Sequence, residues 1–190
     1  MTVDRARVEA AVAEILDAIG EDAGRDGLRQ TPGRVADAYA EFFSGVGTDP
    51  LTQLRDTVPL GEHDAETVLL RDIAFRSVCE HHLLPFIGVA HIAYLPGERI
   101  VGLGRLPRVV ETLAARPQLQ ERLTEQIADA LQQGLEPRGV LVVLDAVHAC
   151  VTSRGARQTG SSTVTIASRG VLAEPVQRAE LIALIGRGVA

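Results

Sequence analysis

A chain of 190 residues can bury one sizeable core, and 46% hydrophobic side chains argue against disorder on that scale. The net charge of −6 argues against a nucleic-acid footprint, since the acidic surplus lies in residues 1–66 and residues 67–190 are only slightly basic. All 19 basic side chains are arginine, which excludes lysine Schiff-base chemistry and keeps bidentate phosphate recognition available.

The opening MTVDRARVEAAVAEILDAIG carries Asp4, Glu9, Glu14 and Asp17 at helical spacing and lacks the pattern of a secretory leader. No apolar run reaches the ~18 residues of a membrane span. The expectation is a cytoplasmic protein. Val8, Val12, Ile15, Leu16 and Ile19 predict an amphipathic helix over 4–19, stopped by Gly20. Thr31 as N-cap and Pro32 in the first turn open a second helix with Val35, Ala38, Tyr39 and Phe42 on its apolar side, ending near Gly45. Residues 46–66 are rich in Pro, Gly and Asp and read as a loop or linker, in which His63 is solvated.

From Thr67 the period changes. VLLRDIAFRSV, VAHIAYL and RIVGL are short and bounded by turn signals, so they read as neighbouring antiparallel strands. Helices follow at about 106–115 and at 118–135, the latter with Leu119, Leu123, Ile127, Leu131 and Leu135 on one stripe, and Pro117 breaks them apart. GVLVVLDAVHACV, residues 139–151, reads as one nearly continuous apolar strand, followed by a turn and the strand STVTIASR. Pro175 opens a last helix bearing Leu181, Ile182, Leu184 and Ile185. This order predicts an α+β domain with an antiparallel sheet over 67–190 and a helical N-terminal arm and linker over 1–66.

The stretch SVCEHHLLPF, residues 77–86, packs one of two cysteines, a carboxylate and two of five histidines together. Cys79 and His82 form a C-x-x-H pair that can turn onto one ion. His148 and Cys150 lie two apart in the expected 139–151 strand, which would set both on one face with Val140, Val142, Leu144 and Ala146. Cys79, His82 and either Cys150 or His148 would make a three-ligand site with an open position, whereas all four would close it. Thiolates with imidazole favour zinc over magnesium or calcium. Spacing leaves three readings open: metal binding, inert core cysteines with satisfied histidines, or a disulfide.

Histidines that are not ligands would sit beside such an ion and could move protons, and His81 and His148 are the candidates. His91, inside an apolar strand, reads as a core or edge histidine. Arg105 and Arg108, at i and i+3, share a helical face that could grip a polyphosphate, with Arg154 and Arg34 as further cations. Glu121 reads alternatively as a helix N-terminal charge, and the arginines as a solvated face.

Taken together, S-x-C-E-H-H-x-L-P at 77–85, A-H-I-A-Y-x-P at 90–96, Q-E-R-L-T at 120–124, H-x-C-x-x-x-R-G at 148–155 and S-x-T-x-T at 161–165 resemble the GTP cyclohydrolase I family, over about residues 31–186. The resemblance implies a tunnelling fold, an antiparallel sheet with helices packed on one face, assembled as a homodecamer of two pentamers with sites at subunit boundaries. It implies opening of the guanine imidazole ring of GTP, release of C8 as formate and closure to 7,8-dihydroneopterin triphosphate on the way to folate or related pterins. Cys79, His82 and Cys150 would hold zinc, whose water would attack C8. His148 would pass protons to the purine ring nitrogen, and His81 would assist ring opening or the later rearrangement.

Glu121, with Gln120 adjacent, matches the guanine-anchoring position, and Arg34, Arg108 and Arg154 match triphosphate-binding ones. The chain departs from the family pattern at Gly102-Leu103-Gly104-Arg105, where G-L-S-K is usual, so Arg105 stands for a lysine; Asp37 stands where a basic residue is common. Two other readings are a diverged paralogue that takes another guanine nucleotide or stops at ring opening, and a non-catalytic, zinc-stabilised assembly protein.

Overall fold

The computed structural model describes residues 3–61 and 66–186, in two compact units, Met1–Thr48 and Asp49–Ala190. His63 lies outside the described residues.

The first unit is a pair of helices. Helix α1 (Arg5–Ala18) starts at Asp4, whose carboxylate accepts from the Arg7 N–H at 3.1 Å and so satisfies one of the free donors of the first turn. Helix α2 (Thr31–Phe42) has no side-chain cap: Gln30 occupies the N-cap, and Thr31, expected there, is already helical. Pro32 still sits in the first turn, where its missing N–H costs nothing. Tyr39 meets Phe43 edge to face at 5.2 Å, and Asp37 pairs with Arg5.

The second unit begins earlier than the expected linker boundary. Pro50–Leu54 forms a 3₁₀ turn capped by Asp49, and it buries Leu54 in the core. Strand β1 (Thr57–Pro59) then pairs with β4 (Arg99–Val101) as a separate two-stranded ribbon. The RIVGL segment is therefore a strand, but not a neighbour of the two strands before it.

The main sheet has the order β5-β2-β3-β6-β7. Its members are β2 (Val68–Cys79), β3 (Pro85–Leu95), the two-residue β5 (Pro117–Gln118), β6 (Gly139–His148) and β7 (Thr163–Gly170). All neighbours are antiparallel except β5, which runs parallel to the last two residues of β2. Alternation splits the side chains cleanly. Ala90, Ile92, Tyr94, Val140, Val142, Leu144 and Ala146 face one way, into a core shared with α3 (Arg105–Ala114) and α4 (Gln120–Leu135). Ala93, Leu141 and Val143 face the other way and meet Leu172 and Leu181, so α6 (Pro175–Gly186) covers part of the opposite face.

Gly88 lets β3 and β6 approach closely, because a Cβ there would lie 2.0 Å from the Asp145 carbonyl oxygen. Helix α4 ends at Glu136, a left-handed residue at φ 47°, and Pro137 follows. The predicted strand over 139–151 is three residues too long: β6 stops at His148, and Ala149–Thr152 is a one-turn helix, α5.

Candidate functional site

Three elements bring the candidate residues to one end of the sheet. Cys79 is the last residue of β2, held by the buried Ser77, whose hydroxyl donates to the Ala114 carbonyl at 2.7 Å and so fastens the strand end to α3. The chain then reverses. The Leu83 N–H donates to the Cys79 carbonyl and the Cys79 N–H to the Leu84 carbonyl, both at 2.9 Å, while Leu83 adopts φ 51°. The Glu80 N–H bonds the Gln118 carbonyl at 3.0 Å, which anchors this turn to β5. His81 and His82 sit exposed on it, with their rings edge to face.

Cys150 arrives from α5. The expectation that His148 and Cys150 share a strand face fails because the strand ends between them, and it is the helical turn that carries the thiol. Within the described residues, one atom each from Cys79, His82 and Cys150 lies within 4.8 Å of the others. Zinc–sulfur bonds of about 2.3 Å in a tetrahedron place sulfurs roughly 3.8 Å apart, so small side-chain movements suffice for this donor set to close on an ion. Both cysteines are free thiols, and burial, with Cys79 beside it, pushes the Cys150 thiol above its ordinary value. Among the described residues the gathered group therefore offers three donors that could hold a metal ion, and His148 is not one of them.

His148, at the end of β6, lies flat on Phe86, with ring centroids 4.7 Å apart and planes 2° from parallel. Its Nε2 meets Gln120 Oε1 at 2.6 Å. Burial lowers the His148 imidazole below its ordinary value, and the charge of Glu121 opposes that. Glu121 and Gln120 open α4 with opposite fates. The helix phase turns Glu121 outward, next to Arg122 and Glu125, while Gln120 joins Leu123, Thr124 and Ile127 on the inward stripe at 1% exposure. The side chain of Gln120, grouped with Glu121 by sequence, is thus buried in the protein and presents no free amide.

The cations are placed unevenly. Arg154 follows α5 on an exposed stretch, near enough to lower the Cys150 value by its charge. Arg108 is exposed on α3. Arg105, at the start of α3, pairs with Asp56. Arg34 belongs to α2 of the first unit, where its guanidinium donates to Gln30 Oε1 at 2.7 Å. Glu80 forms a two-point pair with Arg122, which joins the turn to α4. Sequence reasoning gave no role to Phe86, Thr124 or Thr165, which pack and bond around His148 and Gln120; Thr165 closes the S-x-T-x-T motif, and that motif was the available signal.

The family model described as GTP cyclohydrolase I matches residues 8–186. The chain is 69% identical over 187 residues to the GTP cyclohydrolase 1 of Leifsonia xyli subsp. xyli, covering 98% of each chain. It is 53% identical to that of Rhodopirellula baltica, over 97% of this chain and 80% of the relative. With that of Carboxydothermus hydrogenoformans the identity is 54%, over 97% and 96%.

Proposed function

This chain belongs to the GTP cyclohydrolase I family and is an enzyme of that activity, and on this premise we propose how its residues divide the reaction. The substrate is GTP. Water opens the imidazole ring of the guanine, C8 leaves as formate, and the remainder recloses to 7,8-dihydroneopterin triphosphate, the first step toward folate and related pterins.

Cys79, His82 and Cys150 hold zinc, since two thiolates and an imidazole are the donors that ion prefers. When bound by three ligands, zinc supplies a water that ionises near neutral pH. His148 exchanges a proton with the purine nitrogen beside C8; its half-buried ring, stacked on Phe86, keeps a neutral imidazole able to accept. His81, exposed on the turn beside the ligand His82, assists ring opening or the later rearrangement.

Glu121 accepts from the guanine N1–H and amino group, a pair of donors that adenine lacks. Arg105, Arg108 and Arg154 take the triphosphate. For Arg105 this means leaving Asp56, a carboxylate that competes with phosphate for the same guanidinium. The charge of Asp37 is balanced by Arg5 within the first unit, so it need not repel the nucleotide.

The homodecamer is the assembly that the family resemblance implies, and the open sheet edges support the addition of further copies. Along β7, and along β2 up to Ser77, the outer edge has no strand partner among the described residues, and such edges invite addition of further copies. Two free thiols fit a reducing, cytoplasmic setting.

The observation that carries this reading is the gathering of Cys79, His82 and Cys150 beside the half-buried His148 in a chain so closely related to named cyclohydrolases. Incubation of zinc-loaded protein with GTP, followed by mass analysis and formate quantification, tests it. Formate with dihydroneopterin triphosphate is expected; a formylated, ring-opened nucleotide accumulating without formate would overturn the full reaction, and unchanged GTP would overturn the substrate assignment.

A further inference from the structure

The side chain of Gln120 is surrounded by groups of fixed character. Its Nε2 lies 3.2 Å from the Leu144 carbonyl oxygen, 2.7 Å from the Thr163 carbonyl oxygen and 3.1 Å from Thr165 Oγ1. Two backbone carbonyls can only accept, so the amide nitrogen must face them; a flipped amide would set oxygen against oxygen at both contacts. The remaining atom, Oε1, therefore faces His148 Nε2 at 2.6 Å. An amide oxygen cannot donate, so the proton in that bond belongs to the imidazole.

We infer that Gln120 is a positioning residue that holds His148 as the Nε2–H tautomer, leaving Nδ1 as the nitrogen that exchanges the proton with substrate. The inference deepens the proposed role of His148 and rests on it. The brace is itself braced. Thr124 Oγ1 donates to the Gln120 carbonyl at 2.7 Å and meets Thr165 Oγ1 at 2.6 Å, which ties the first turn of α4 to β7. Gln120 and Thr124 are each 1% exposed, so water does not compete for these bonds. Phe86 fixes the ring plane while Gln120 fixes its rotation within that plane. A charged partner in place of Gln120 would favour imidazolium; a neutral amide orients the ring without doing so.

The test is nitrogen-15 solid-state NMR of histidine-labelled, zinc-loaded protein above the histidine titration range, with the His148 signals identified by their loss in His148→Asn. A bare Nδ1 and a protonated Nε2 are expected. A protonated Nδ1, or an even mixture, would overturn the inference.

Gln120→Leu removes the acceptor. It should give mixed tautomers and a kcat for formate release lower by about 10²-fold, the usual scale for one proton-transfer group, with KM for GTP and zinc content unchanged. A KM increase at constant kcat would instead make Gln120 a guanine contact and sink the idea. Thr165→Val, which leaves the His148 contact in place but removes the brace, should lower kcat several-fold and serves if Gln120→Leu does not fold; unchanged kcat there counts against the network. Full turnover in His148→Asn would defeat the catalytic reading of His148, while the nitrogen signals decide the tautomer in either case.

Discussion

Single side chains divide here into those whose chemistry the sequence identified and those whose direction had to be seen. Cys150 belongs to the first kind as an expectation: its thiol lies with Cys79 and His82 in a group that could hold a metal ion. Cys150→Ala should abolish stoichiometric zinc and bring formate release to background together, measured by elemental analysis and product assay on one preparation; wild-type turnover in a zinc-free variant would refute the metal assignment. Glu121 faces outward at the start of α4 with its carboxylate available. Glu121→Gln should reduce kcat/KM for GTP by roughly 10- to 100-fold, the scale of one charged hydrogen bond of about 1.5–3 kcal/mol. Asp56→Asn releases Arg105, so KM for GTP should fall while kcat stays constant, provided that Arg105 reaches phosphate.

At the scale of elements, the site depends on where strands stop. β2 stops at Cys79 and β6 at His148, so His82 is carried by a turn and Cys150 by a helical turn. Both strand ends are kept level by β3 between them, whose Phe86 pairs with Ser77 of β2 on one side and His148 of β6 on the other. Gly88→Ala would drive a Cβ into the Asp145 carbonyl oxygen, so the strands must separate where their spacing aligns Phe86 with His148. A loss of about 2–4 kcal/mol in chemical denaturation is expected, with zinc affinity weakened alongside. Retained stability would mean that the β3–β6 spacing is softer than its register implies.

For the molecule as a whole, His91 sets a pH limit. Its ring is buried on the α6 side of the sheet, where Nδ1 accepts from the Asp72 N–H at 3.2 Å. Burial holds this imidazole below its ordinary value, with the nearby Asp72 carboxylate opposing. The unfolded chain, with a value of about 6.5, therefore binds the proton first as pH falls. The stability contribution is complete above that pH and is lost as pH drops toward the depressed folded value. Urea midpoints should decline below about pH 6.5, and the decline should be shallower in His91→Gln; parallel curves would assign the acid sensitivity to other groups. If copies add at the open edges of β2 and β7, sedimentation should show a species ten times the chain mass, and charged substitutions at Val164 and Ile166 on β7 test whether that edge is covered.

The sequence by itself determined the residue types and most of the elements. Periods of 3.6 and 2 located α1, α2, α4, β2, β3 and β7 to within a few residues, because apolar spacing follows directly from which face must be buried. The C-x-x-H pair with a later H-x-C, and the motifs around them, were enough to name the family and its zinc ligands as an expectation. Tertiary structure decided what depends on contacts between distant segments. A two-residue β5 and the ribbon of β1 with β4 carry no periodicity of their own, and they form because β2 and the 3₁₀ turn at Pro50–Leu54 bring partners to them. The stop of β6 at His148 was hidden because apolar residues continue into α5 without a break. Whether adjacent residues face together is likewise a matter of packing: Gln120 and Glu121 are neighbours in sequence, yet helix phase sends one to brace His148 in the core and leaves the other at the surface.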